Sequence, residues 1–269
     1  MDLHHYTDVN GLTGIIQRRA LWATDIGFLN DSQEMLAGID LIQRRCAHVA
    51  TIEIPDKTVQ SAVRRFYEKI PEFVKNNLTK RNTYIVSFSK AGDNLRQWMS
   101  YCPKNSGYSI EFDSQEILID GRVESEEKVV SRLEEVDYYE AKINEILLMR
   151  DILNSPDLKL VDVEAAMLDL ANKLFFHSCA VKPKEFYDEQ ETRLVIQSTL
   201  EKAHDISFRS RAGVIIPYFE YPIQHSWIKE ITIGPNINMS LARKGLETFL
   251  EKHSITCKIR ESKCSLRNF

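Results

Sequence analysis

The chain has 269 residues, with 35 Lys and Arg against 39 Asp and Glu, for a formal charge of -4 at pH 7. That length fits one large domain or two small ones, and 43% hydrophobic with 28% charged residues excludes global disorder, because a core can be buried under a solvated surface. No run approaches the roughly 18 apolar residues of a membrane span, and the polar start MDLHHYTDVN lacks the basic and apolar regions of a signal peptide, so a cytoplasmic protein with no membrane partner is expected. The five cysteines are odd in number and form no C-x-x-C pair, which indicates neither a disulfide framework nor a zinc knuckle. A mildly acidic total excludes wholesale coating of nucleic acid and leaves room for a local basic groove.

In chain order, a short extended start at Leu3–Tyr6 leads to Asp8, which can cap a helix through about Arg19 with Leu12, Ile15 and Ile16 on one face. Asp31-x-x-Glu34 is a capping-box variant ahead of Met35, Ile39, Ile42 and Cys46 at helical spacing. A third, strongly charged helix runs from about Pro55 to Asn77, with Val59, Val63, Phe66 and Ile70 in register. The first third is therefore mostly helical. Short β-rich runs at Tyr84–Phe88 and Tyr108–Phe112 flank a helical piece from Asp93 to about Tyr101, and another strand is expected at Val136–Tyr139. Two helices fill roughly Ala141–Asn154 and Val161–Cys179. Strands follow at Glu191–Gln197, Ser207–Arg209, Val214–Phe219 and Glu230–Ile233, then a helix from Met239 to His253 and a last strand at Thr256–Ile259. Strands grouped apart from helices, with no interdomain linker and no repeat, indicate one α+β domain over 1–269.

Several sites are excluded by absence: no G-x-G-x-x-G after a strand, no G-x-x-x-x-G-K-[ST], and no G-x-S-x-G. His177-Ser178-Cys179 holds nucleophile types, but at the end of an apolar helix without an orienting group. His4-His5 lacks metal-ligand spacing, so no metal is expected. What remains is polar residues placed where a simple fold has little need of them. The first group is His5-Tyr6-Thr7, ending the first extended segment. Ser87-Phe88-Ser89 ends a strand and is followed by Asn94-x-x-Gln97-Trp98 and Tyr101. Last comes Glu189-Gln190-Glu191-Thr192-Arg193, leading into the apolar Leu194-Val195-Ile196. At a strand period of two, Glu189, Glu191 and Arg193 share a face, where Arg193 can relieve two like charges. Two explanations fit: an exposed edge with a salt bridge, or a carboxylate site able to hold a sugar hydroxyl and stabilise ring charge during glycosidic cleavage.

In order along nearly the full chain, HYT at 5–7, FLNDSQE at 28–34, SFSKAGDNLRQWMSYC at 87–102, GYSIEFD at 107–113, VDYY at 136–139, KPKEFYDEQETRLVI at 182–196, RAGVIIPY at 211–218 and ITIGPN at 231–236 resemble the bacterial family of domain of unknown function 2971. That family in turn resembles a distant branch of the ADP-ribosyltransferase superfamily. The resemblance implies a split β-sheet core around an NAD cleft, flanked by helices, with NAD as substrate. By the same resemblance His5 would bind the adenosine-side ribose, with Tyr6 beside it and Thr7 helping to hold the dinucleotide. The region from Tyr84 to Ser89, through Ser87 and Phe88, would be the second motif. Glu191 would bind the 2′-hydroxyl of the nicotinamide ribose and stabilise the oxocarbenium ion, and Glu189 matches the first acid of an E-x-E pair. The second motif departs from a clean Ser-Thr-Ser, so Tyr84, Phe88 and Tyr101 all stand as candidates for the nicotinamide platform.

The function implied is that of a toxin or antiphage-defence effector that transfers ADP-ribose from NAD to a macromolecule. The alternatives are an NAD glycohydrolase and a catalytically degenerate module that binds a nucleotide or a partner. Arg18-Arg19, Arg44-Arg45, Arg64-Arg65, Lys80-Arg81 and Arg96 would favour RNA or DNA over protein as acceptor if they converged beside the cleft. A toxin would also imply an antitoxin or immunity partner.

Overall fold

The computed structural model describes all residues except 30, 31, 52, 81, 104, 105, 120–128, 141–159, 199–205, 212 and 265–269. The helix expected at Ala141–Asn154 and the cap at Asp31 lie outside the described residues. Among those described, the chain is a mixed α/β structure built on one open sheet, in which β9 and β10 pair in parallel and the other paired strands run antiparallel.

The strands are β1 (Asp2–Thr7), β2 (Ala20–Asp25), β3 (Asn82–Ser89), β4 (Tyr108–Asp113), β5 (Val129–Glu135), β6 (Glu191–Ser198), β7 (Ile206–Arg211), β8 (Val214–Pro222), β9 (Ile228–Ile233) and β10 (Lys258–Glu261). The helices are α1 (Val9–Arg18), α2 (Ser32–Val49), α3 (Lys57–Lys80), α4 (Leu95–Tyr101), α5 (Ser114–Ile119), α6 (Leu160–Ser178) and α7 (Met239–Lys252). The Asp8 carboxylate accepts from the Gly11 N–H at 2.7 Å, and Leu12, Ile15 and Ile16 are buried, as the cap and the spacing require. The start of the chain is a full strand, and the first third holds β1, β2 and β3 besides its three helices.

Alternation along β3 and β6 feeds two cores. Ile85 and Val195 face the layer made by α2, α3 and α6, whereas Tyr84, Val86, Phe88, Leu194 and Ile196 join the core on the opposite face, with Leu12 and Ile16 of α1 and Leu246 and Leu250 of α7. Strands buried on both faces read as continuous apolar runs, which is why both were visible in the sequence.

The sheet forks at β3. One edge of β3 pairs with β6 over its full length, from Asn82↔Ser198 to Ser89↔Glu191. The other is shared: β2 takes Tyr84 and Ile85, and β1 takes Ser89. One arm of the fork is then β1–β4–β9–β10 and the other β2–β8–β7. On the face covered elsewhere by α2, α3 and α6, the residues that continue from Ile85 and Val195 are Ser87, Arg193 and Glu191, which are polar.

Three segments differ from the sequence expectation. Residues 136–139 are not a strand. The strand lies just before, at β5, and Asp137 forms an isolated bridge to Val181. Among the described residues β5 pairs with β6 alone, and it is half exposed, so its sequence VVSRLEE carries little apolar signal. β2 carries no distinct signal in the sequence, because ALWATD is a short run pressed between a helix and a 3-10 turn. α5 is six residues long, below the length at which periodicity discriminates.

Gly38 lets α2 approach the end of α6 closely. A Cβ there would stand 2.2 Å from the Ser178 carbonyl oxygen at the end of α6. Gly38→Ala is therefore expected to cost about 1–3 kcal/mol through forced separation of the two helices. Urea unfolding should show a lower midpoint at unchanged slope, and an unchanged midpoint would contradict the packing described.

Candidate functional site

The fork opens a cleft of about 580 Å³, lined from one arm by His5, Tyr6 and Thr7, from the other by Trp22, Thr24, Arg209 and Arg211, and from the floor by Ser87, Arg193 and Glu191. This size is within the usual range for small-ligand sites. A smaller pocket of about 80 Å³ adjoins it, and His5, Tyr6, Ser87, Tyr101 and Glu191 line both.

His5 closes the gap in the fork. Its Nδ1 lies 3.0 Å from the Ser87 carbonyl oxygen, and since a carbonyl only accepts, Nδ1 carries the proton and Nε2 the lone pair. Burial pushes the imidazole below its ordinary pKa, and the Ser87 hydrogen bond opposes this only in part. His5 is thus a neutral side chain in the cleft wall whose remaining nitrogen accepts.

Glu191 is 5% exposed. Its Oε1 accepts from Arg193 Nε at 2.8 Å, and its Oε2 accepts from Arg193 Nη2 at 3.1 Å and Lys182 Nζ at 2.8 Å. Burial alone would raise its pKa, but Arg193 and Lys182 outweigh it and hold the carboxyl at about 2. Arg193 therefore relieves Glu191 as the alternation suggested. Glu189, however, is not on the strand: it ends a 3-10 turn at Lys184–Glu189, and Gln190 (φ 45°) turns the chain into β6. Its Oε2 accepts from Lys182 Nζ at 2.7 Å and from the Tyr101 hydroxyl at 3.2 Å. Lys182 joins the two acids, and Glu189 faces only the small pocket.

The second motif mostly builds the frame. Ser89 Oγ and Gln97 Nε2 both donate to the Glu189 carbonyl, at 2.8 and 3.0 Å, and Asn94 Nδ2 donates to the Asp188 carbonyl at 2.8 Å. The Tyr6 hydroxyl donates to the Ala91 carbonyl at 2.6 Å and accepts from the Asn94 N–H, which commits it to the loop; burial raises its pKa well above the ordinary value, and the Asn94 hydrogen bond opposes this only in part. Trp98, 1% exposed, packs against Tyr6 and donates to Asp93 at 2.8 Å. Tyr84 is also 1% exposed and packs against Phe219. Of the three candidate platforms, Tyr101 lines the cleft, Phe88 is buried and touches only the small pocket, and Tyr84 lies in the core.

Cys179 is buried, donates to the Phe175 carbonyl, and has its thiol pushed up to about 12 by burial, so it is no nucleophile. Among the described residues Arg18, Arg19, Arg44, Arg45, Arg64, Arg65 and Arg96 do not line the cleft, and Arg81 lies outside the described residues. Arg18 pairs with Glu220, Arg44 with Asp40 and Glu140, and Arg45 with Glu140, while Arg96 stacks over Phe186. The cations that do line it are Lys182, Arg193, Arg209 and Arg211. Lys182, Arg209 and Arg211 were not singled out in the sequence. Lys182 lies beside a proline seven residues before Glu189, and nothing short of the 3-10 turn brings it back to the acids.

Among the described residues no group of three or more His, Cys, Asp or Glu could hold a metal ion, and no helix is long and apolar enough to cross a membrane. No curated protein and no solved structure matches the chain. Residues 97–194, which run from α4 through Lys182, Glu189, Glu191 and Arg193, match the model of the family described as "Protein of unknown function (DUF2971)", in support of the family that the motifs resemble.

Proposed function

We propose that the protein binds NAD in the forked cleft and transfers its ADP-ribose to a macromolecular acceptor. The observation that carries this reading is the convergence of His5 and Thr7 from β1, Tyr101 from α4 and Glu191 from β6 on one cleft. Neutral His5 offers Nε2 to a ribose hydroxyl. Ionised Glu191 has three donors on a carboxylate that accepts about four, which leaves room on Oε1 for a second hydroxyl. A negative charge held there opposes the positive charge that develops as the nicotinamide bond breaks, and Tyr101 stands beside it as the ring's neighbour. Toxin or defence use belongs to the same proposal, with an antitoxin as its partner.

One observation favours a second reading. Two cations already neutralise Glu191, which weakens its hold on an oxocarbenium ion and suits a module that binds the dinucleotide without cleaving it. Incubation of the purified protein with labelled NAD, with and without lysate, separates these. Label on a macromolecule supports transfer, free ADP-ribose alone supports a glycohydrolase, and binding without nicotinamide release supports the module. Loss of label on nuclease treatment identifies a nucleic-acid acceptor, and loss on proteolysis a protein.

His5→Ala is expected to weaken NAD binding and turnover by a similar factor, on the order of 10-fold, because its hydrogen bond exists in ground and transition states alike. Calorimetry that finds unchanged NAD affinity in a folded His5→Ala protein would remove His5 from the site.

A further inference from the structure

Cross-strand pairing puts Trp22, Thr24, Ile216, Arg209 and Arg211 on the cleft side of the β2–β8–β7 arm. Arg209 Nη2 donates to Thr24 Oγ1 at 2.7 Å, and its guanidinium carbon lies 5.7 Å from the ring centroids of both Trp22 and Tyr218. The guanidinium is thereby held in one orientation. Arg209 Nε and Trp22 Nε1 are nevertheless buried with no hydrogen-bond partner, an arrangement that costs stability until an acceptor is supplied.

Among the described residues, Arg209 and Arg211 are the charged side chains that β7 brings to the cleft. The acidic side chains in the lining are Glu191, held by Lys182 and Arg193, and Asp8, whose carboxylate caps α1. Arg209 and Arg211 lie two residues apart on the same strand face, and burial together with Arg211 pushes Arg209 below its ordinary pKa. Paired guanidinium forks with an unmet donor match the oxygens of a phosphate group.

We infer that Arg209 and Arg211 form the phosphate-binding end of the cleft and take the diphosphate of a nucleoside-diphosphate ligand. This rests on the dinucleotide reading above and adds a direction to it: the diphosphate lies against β7, and the ribose to be cleaved lies at Glu191.

Calorimetry with ADP-ribose, inorganic pyrophosphate and adenosine tests it on the wild type, Arg209→Met and Arg211→Gln. Each substitution should weaken ADP-ribose and pyrophosphate binding about 10- to 100-fold, the range of a lost charge-assisted hydrogen bond, and leave adenosine binding unchanged. Added salt should weaken the first two ligands in the wild type. Arg211 is exposed, so Arg211→Gln keeps the test decisive if Arg209→Met fails to fold. Undiminished ADP-ribose binding in the folded variants overturns the inference. So does Arg-dependent binding of a short single-stranded RNA by a protein that does not bind ADP-ribose. If pyrophosphate and ADP-ribose bind through the arginines but NAD is never cleaved, the phosphate site stands and the transfer reading falls. If NAD is cleaved with the same KM by the wild type and both variants, transfer stands and the phosphate site falls.

Discussion

Glu191→Gln should lower stability by about 3–5 kcal/mol, the usual cost of removing one partner from a buried ion pair, and should also abolish any nicotinamide release. The amide cannot neutralise Arg193, and Lys182 loses one of its carboxylate partners while its ion pair to Glu189 remains. The effect has a pH signature with a definite sign. In the native protein the Glu191 carboxyl sits near 2 against an ordinary value of 4.5, so its contribution, about 3 kcal/mol by linkage, is present in full above about pH 4.5 and is lost as pH falls toward 2. Urea unfolding at pH 7 and at pH 3 should therefore show the gap between wild type and variant narrowing in acid. Equal stabilities at pH 7 would mean that the ion pair is solvated. Because folding and chemistry are hit together, turnover must be compared at a temperature where the variant is still folded.

Lys182→Met should be as severe, and its deficit should also shrink in acid, for a different reason. Lys182 Nζ lies 2.7 Å from Glu189 and 2.8 Å from Glu191, and its removal leaves two buried carboxylates sharing one site, with Arg193 on Glu191 and the Tyr101 hydroxyl on Glu189 as partial relief. Loss is again about 3–5 kcal/mol at neutral pH. The variant can recover part of it by holding a proton between the acids, as close carboxylates do. Its stability relative to the wild type should thus improve as pH falls from 7 toward the carboxylate range. A deficit independent of pH would show that Lys182 acts through packing of its alkyl chain and not through charge.

The sequence by itself determined the elements whose signal is local. Asp8 caps α1, the i, i+3, i+4 apolar residues fix the buried side of α1, and the doubly buried β3 and β6 appear as unbroken apolar runs. Period-two alternation also placed Glu191 and Arg193 on one face, and they pair there. Tertiary structure alone decided what depends on residues distant in sequence. His5 meets Ser87 across the fork, 82 positions away, and Arg209 meets Thr24, 185 positions away. Asn94 and Gln97 donate to the Asp188 and Glu189 carbonyls and so pin the Lys184–Glu189 turn, while Trp98 packs against Tyr6 and donates to Asp93. Short-range patterns report which side of an element is buried, because burial follows the backbone period. They do not report which buried polar groups will satisfy one another, because that pairing is made only when the two arms of the sheet close on β3.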